Sequence, residues 1–238
     1  MKWTGGLVIG DGWALYHGRA GASELHAHYA AQLVCSEKAA PAAAIIENVH
    51  FSDNVIYIPS TILHRLEPNM SALDILYAEP LLLKTPHGDA AHASEREQAI
   101  TLYETLRASQ PDDNSATLLA STASIADTRI KSAIDVVEQY LDGPIYLSEI
   151  AQASGLSRSR FAELFRAETR LPLRQFVLWR RLRRAILAVS EGENATGAAY
   201  AAGFSDAAHF SRTVRAMFGI APTDILSGVK VSSRTSDG

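Results

Sequence analysis

The sequence predicts a chain of mixed α and β class: an N-terminal β-barrel, then an all-α domain in which two helix-turn-helix units are joined by a long helix. Three observations lead there. Residues 7–83 hold short apolar runs broken by Gly, Pro and Asn, whereas from Asp127 onward apolar residues recur at helical spacing between regular stop signals. The charge changes sign between these regions. Residues 1–128 carry 7 Lys/Arg against 15 Asp/Glu and residues 129–238 carry 15 against 11, so only the second part of a chain of net charge −4 is basic.

With 238 residues, 47% hydrophobic and 20% charged, the composition is that of a globular protein with room for two domains. The single cysteine, Cys35, excludes an intrachain disulfide, and Met1-Lys2-Trp3 runs into glycines instead of an apolar signal core. No apolar run approaches the roughly 20 residues of a membrane span. The expectation is a cytoplasmic protein with no membrane partner.

In the N-terminal region the predicted strands are 7–9, 13–17, 28–36, 43–49, 54–58 and 73–78, separated by Asp11-Gly12, Pro41, Asp53-Asn54 and Pro68-Asn69. After Pro86, Ile100, Tyr103 and Leu106 fall on one side of a predicted helix over 94–107. Packing of that stripe on the β domain is favoured over a dimer seam. Residues 108–114 read as a loop.

From Asp127 a helix over 129–141 carries Ile130, Ile134, Val137 and Leu141 inward and stops at Asp142-Gly143-Pro144. A short helix over 148–153 follows. Gly155 ends it in a left-handed conformation, and Ser157 caps a new helix over 158–169. That second helix buries Phe161, Leu164 and Phe165 and turns Arg158, Ser159, Ala162, Glu163 and Arg166 outward. Pro172 opens a long helix to about Ser190 with Phe176, Trp179, Leu182 and Ile186 on its apolar side. Nine arginines and two glutamates lie between Arg158 and Arg184. From Asn194 the plan repeats: a short helix to Ala202, Gly203 at the turn, Asp206 near the cap, and a last helix to Phe218 that turns Ala208, His209, Arg212, Arg215 and Ala216 outward.

A helix, a tight Gly turn and a second helix with a polar outer face is the plan that lays its second helix in the DNA major groove. Two such units about fifty residues apart, linked by a helix of about 30 Å, suit successive major-groove segments on one DNA face. Double-stranded DNA is therefore the expected partner, with arginine suited to phosphates by its planar fork. A protein-interaction module is the competing reading of the helical part.

Residues 127–226 resemble the DNA-binding domain of the AraC family of bacterial transcription regulators. The resemblance rests on Leu147-Ser-Glu-Ile-Ala151, Gly155-Leu-Ser157, Phe161-Ala-Glu-Leu-Phe165, Arg181-Leu-Arg-Arg-Ala185, Ala201-Ala-Gly-Phe-Ser-Asp206, His209-Phe-Ser-Arg212 and Phe218-Gly-Ile-Ala-Pro222, in fixed order. It implies a first reading face of Arg158, Ser159, Ala162, Glu163 and Arg166, and a second of Ala208, His209, Ser211 and Arg212. The bases read are not implied. Arg170 stands where the family usually has Gly, Ala198 where it has a large aliphatic residue, and Val214 where it has an aromatic one. The expected consequence is a first unit that carries most of the binding.

Residues 21–28 and 59–64 are similar to the paired motifs of cupin barrels, which many members of that family use for sensing and dimerisation. The resemblance implies a cupin-like domain over 1–92, a helical segment and linker over 93–126, the AraC-type domain over 127–228 and a flexible tail over 229–238. His26 and His28, two apart, would share one side of a strand, and His64 could join them from a neighbour. With Trp13, Tyr16, Gln32 and Tyr57 they are the candidates for an effector pocket. No cofactor is expected. Core or pocket histidines are favoured over a divalent metal site, because the motif glutamate is out of register, with Glu37 nearest, and Thr61 replaces a glycine. The leading expectation is a non-enzymatic regulator, activator or repressor, acting as a homodimer, responsive to a small molecule and, as an activator, meeting RNA polymerase. The alternative is a cupin enzyme with Fe or Mn on the three histidines, fused to a DNA anchor.

Overall fold

The structure is a computed structural model that describes residues 2–83, 89–108 and 125–234, with only the backbone described at 89–93 and 224–226. By its internal contacts the chain divides into two compact units: Met1–Ala123 with Ser211–Gly238, and Ser124–Phe210. The expected loop over 108–114 and most of the expected linker lie outside the described residues.

In the first unit the strands are β1 (Thr4–Ile9), β2 (Trp13–Arg19), β3 (Ala31–Ser36), β4 (Ala42–Ile46), β5 (Val49–Asp53), β6 (Val55–Ile58), β7 (His64–Leu66), β8 (Ala72–Ala78) and β9 (Val229–Ser233). They form a six-stranded sheet in the order β6-β3-β8-β2-β1-β9 and a three-stranded sheet in the order β5-β4-β7. Among the described residues these sheets do not close into a barrel, so the N-terminal half is sheet-rich as expected but built as two sheets. Pairing is antiparallel except for β9, which joins β1 in parallel.

Period-two alternation decides what each face of the large sheet buries. Val34 and Ile75 lie in one apolar cluster with Tyr16, Ile56, Ile58 and Leu66. Their neighbours Leu33 and Leu76 lie in another, where Ala99, Leu102 and Leu106 of helix α1 (Asp89–Ala108) cover them. The stripe of α1 is thus packed on the sheet, as favoured above. At roughly 25 cal/mol per Å² of apolar area removed from water, this two-sided burial dominates the unit's stability.

Two sequence expectations change. The strand predicted over 43–49 is broken by a turn in which Glu47 and Asn48 both take positive φ (47° and 68°), and the chain reverses into β5. Such two-residue turns match the twist of the paired strands, but Glu-Asn is a weak signal for one. The tail predicted as flexible over 229–238 instead supplies β9 at 229–233, because the open edge of β1 offers it unpaired backbone groups.

The second unit holds α2 (Thr128–Gln139), α3 (Leu147–Ala153), α4 (Arg158–Thr169), α5 (Leu173–Ser190) and α6 (Ala195–Ala201). Asp127 caps α2 by accepting from the Arg129 N–H, and Ile130, Ala133 and Val137 form its buried face. The division between units falls within α7 (Ala207–Phe218), which α8 (Pro222–Gly228) follows.

Candidate nucleic-acid interface and histidine cluster

In α3 and α4 the local sequence builds a reading helix. Gly155 takes φ 65°, and Ser157 accepts a hydrogen bond from the Arg160 N–H, satisfying a donor the helix leaves open. Phe161 and Phe165 are fully buried, and Phe165 meets Phe176 of α5 edge-on at 5.4 Å between ring centroids. With that face anchored, Arg158, Ser159, Ala162, Glu163 and Arg166 are all exposed together. Sequence reading missed Arg160, whose guanidinium pairs with Glu163 at 2.8 Å. The pair adds little stability at full exposure, but it balances a carboxylate that would otherwise repel phosphates. Helix α4 ends at Arg170 with φ 62°, a left-handed position that favours glycine.

The second unit is assembled by caps and one close approach. Asn194 accepts from the N–H groups of Thr196 and Gly197. Gly203 (φ 80°) lies against Leu141, whose carbonyl oxygen a Cβ would strike. Asp206 accepts from the His209 N–H at 2.6 Å. Ala208, Ser211 and Arg212 are exposed, while His209 is half-buried against Phe204 at 5.3 Å and 3.2 Å from the Ser205 hydroxyl. His209 therefore carries a packing role beside any contact to DNA. Ala198 and Val214 are both buried.

Within the second compact unit a cleft of about 900 Å³ is lined by residues that include Tyr146, Ala162, Glu163, Arg166, Arg174 and His209. Its walls thus include three of the five residues expected on the first reading face, and His209 of the second. Two arginines of α5 are held by contacts to the protein. Arg181 donates to the carbonyls of Leu141 and Gly143, at 2.9 and 2.5 Å, and Arg180 pairs with Glu138 at 3.1 Å over the Phe176 ring. Both hold α5 to α2 and its following loop.

In the first unit His26, His28, His64 and Gln32 come together, each at most 4% exposed. His26 and His64 bridge through their backbones, and their rings lie 4.2 Å apart. The Nε2 atoms of His28 and His64 lie 2.8 and 3.0 Å from Gln32 Oε1. Burial first, and neighbouring imidazoles second, lower the His26 pKa to about 4 and that of His28 to about 3; burial also lowers that of His64. All three are neutral at pH 7. Glu37 stays on the surface, so Gln32 takes the polar position in the cluster.

The other pocket candidates separate by face. Tyr16 shares the apolar cluster to which Tyr77 belongs, its hydroxyl donating to the carbonyls of Thr4 and Arg19. Trp13 and Tyr57 lie on the α1 side, where the Tyr57 hydroxyl donates to Glu95. Tyr77 and Phe218, which the sequence did not single out, pack on His28 at 5.3 and 6.0 Å.

Comparison with known proteins agrees with this layout. A family model described as a helix-turn-helix domain matches residues 150–227. YkgA of Escherichia coli (strain K12), described as an HTH-type transcriptional regulator, is 32% identical over 96 residues, 40% of this chain and 40% of that protein. LumQ of Photobacterium leiognathi, described as a transcriptional regulator, is 31% identical over 88 residues, 37% of this chain and 36% of its own length. The alignments thus span less than half of either relative. ToxT of Vibrio cholerae shares the fold, with a TM-score of 0.59 at 11% identity over 91% of this chain and 97% of that one. A ToxT structure bound to (E)-4-(8-methylnaphthalen-1-yl)but-3-enoic acid gives 0.52 at 14% identity, over 91% of this chain and 98% of that one. Among the described residues no helix is long and apolar enough to cross a membrane. Residues 150–227 thus match a helix-turn-helix domain, and the chain as a whole shares its fold with ToxT.

Proposed function

We propose that this chain is a sequence-specific, DNA-binding transcriptional regulator whose sheet-rich half responds to a small molecule. The observation that carries the DNA reading is the exposed face of α4, where Arg158, Ser159, Ala162, Glu163 and Arg166 stand together on a helix anchored by Phe161 and Phe165. Arg158 and Arg166 are the phosphate contacts of this reading, and Ser159 and Glu163 face base edges. Helix α7 adds Ala208, His209, Ser211 and Arg212.

The small-molecule reading draws support from within the first unit. Phe218, the last residue of α7, packs on His28 and Tyr77, and the Glu24 N–H donates to the Gly219 carbonyl at 2.8 Å. A ligand that moved residues 24–28 would move the seat of the α7 terminus. For its effect on DNA binding, it must bind the two arrangements unequally. The ligand-bound ToxT structure suggests the class, a small organic molecule. A homodimer formed through the sheet-rich half, and contact with RNA polymerase in activation, complete the proposal.

Binding of the full chain to duplex DNA across a salt series tests the DNA reading. The affinity falls steeply with salt, and Arg166→Ala reduces the slope of log affinity against log salt by about 1, as expected for one lost phosphate contact. An affinity indifferent to salt, or equal for duplex and an unrelated polyanion, contradicts it.

A further inference from the structure

A carboxylate stands where α4 is furthest from its own core. With about 3.6 residues to a turn, Glu163 falls diametrically opposite the midpoint of the buried Phe161 and Phe165. Its side chain is 70% exposed. The same spacing puts Ser159 and Arg166 on one side of it and Arg160 on the other, all three exposed. On a helix that approaches phosphates, an unpaired carboxylate at that point is repelled. Here it is paired: Arg160 Nη1 donates to Glu163 Oε2 at 2.8 Å. An exposed pair of this kind adds little stability, so its consequence lies in what it presents to a partner. The bond engages Oε2 and leaves Oε1 as the acceptor.

A carboxylate only accepts, so in the major groove it is satisfied by a donor alone: the N4 amino group of cytosine or the N6 amino group of adenine. The two differ in their surroundings. Adenine N6 lies between two acceptors, its own N7 and the O4 of the paired thymine, and both repel a carboxylate. Cytosine N4 has one such neighbour, the O6 of the paired guanine, and a carbon on its other side. The Arg160 charge beside the carboxylate offsets that one repulsion.

We propose that Glu163 selects cytosine in the major-groove segment that α4 enters, and that Arg160 is the positioning residue that holds its carboxylate for this contact. Guanine and thymine present only acceptors at that edge and are excluded, while adenine is disfavoured by its N7. This inference rests on the DNA reading above and adds to it the base at one position.

The full chain, unaltered and as Glu163→Gln, Arg160→Ala and Arg160→Lys, each folded by circular dichroism, is used to select duplexes from a random pool. The recovered motif is then rebuilt as four duplexes that differ only at the base pair assigned to Glu163, and their affinities are titrated. The unaltered chain should enrich a motif with cytosine held at one position, where any other base weakens binding about fivefold or more. Glu163→Gln should move the preference there to adenine, whose N6 and N7 an amide matches, and leave other positions as they were. Arg160→Ala should reduce discrimination at that position more than at any other, and Arg160→Lys, which keeps a cation beside the carboxylate, should retain more of it. If Arg160 contacts a phosphate instead, its loss weakens all four duplexes equally and lowers the salt slope by about 1, which overturns the positioning role. A motif in which Glu163→Gln shifts no position overturns the cytosine assignment. Either of these results leaves the DNA reading standing. A pool with no enriched sequence brings down that reading itself, and this inference with it.

Discussion

At the scale of single residues, Arg170 shows how a reading helix is ended at a cost. Its φ of 62° places a side chain where only glycine sits without strain, a penalty of about 1–2 kcal/mol. Arg170→Gly recovers part of this, offset by the extra freedom of glycine in the unfolded chain. The expected gain is about 0.5–1 kcal/mol, read as a higher urea midpoint at unchanged slope. A lower midpoint would mean that the Arg170 side chain contributes more than its backbone costs. Residue-scale chemistry was the part most legible from sequence. Ser157, Gly155 and Asp206 are legible as cap or turn residues because their roles depend on neighbours two or three positions away. Gln32 stands out in the sequence as a candidate, but its place between two imidazoles does not, since that depends on where β3 lies beside His28 and His64.

At the scale of elements, the two helices proposed to read DNA differ in what anchors them. Helix α4 stands on two phenylalanines and a third ring from α5, whereas α7 is seated by Phe210, Val214 and Met217 and shares its half-buried His209 with the core. We expect substitutions at Ser159, Glu163 and Arg166 together to cost more operator affinity than Arg212→Ala alone, measured by titration on one duplex. A larger loss from Arg212→Ala would reverse that order. Elements whose signals are local were legible, such as the helix opened by Ser157. Those created by pairing were not. The turn at Glu47-Asn48 hid β5 inside an apolar run, three-residue β7 is defined by its partner β4, and β9 exists because β1 offers an edge. Strand parity could have separated Trp13 from Tyr16, three positions apart on β2 and so on opposite faces. Tyr57 could not be placed without its pairing to Leu33.

At the scale of the whole molecule, the buried histidines link folding to pH. Their folded pKa values lie below 6.5, near 4 for His26 and 3 for His28, and lowered for His64. As the pH falls through 6.5 the unfolded chain takes up protons that the folded chain refuses, so stability declines with falling pH until the folded values are reached. The urea midpoint should drop between pH 7 and 5.5, before most carboxylates titrate. His26→Gln and His64→Gln should flatten that drop. An unchanged pH dependence in these variants would show that other groups dominate.

The fold also joins sequence-distant parts, since residues 211–234 belong by their contacts to the same compact unit as the N-terminal sheet. The central claim remains that the arginine-rich helical part reads duplex DNA. Selection of duplexes bound by the full chain from a random pool, at moderate salt, tests it most directly. The account predicts a recurrent motif whose strongest positions lie in one major-groove segment, with weaker preference one helical turn away. Recovery of a pool with no enriched sequence would contradict it.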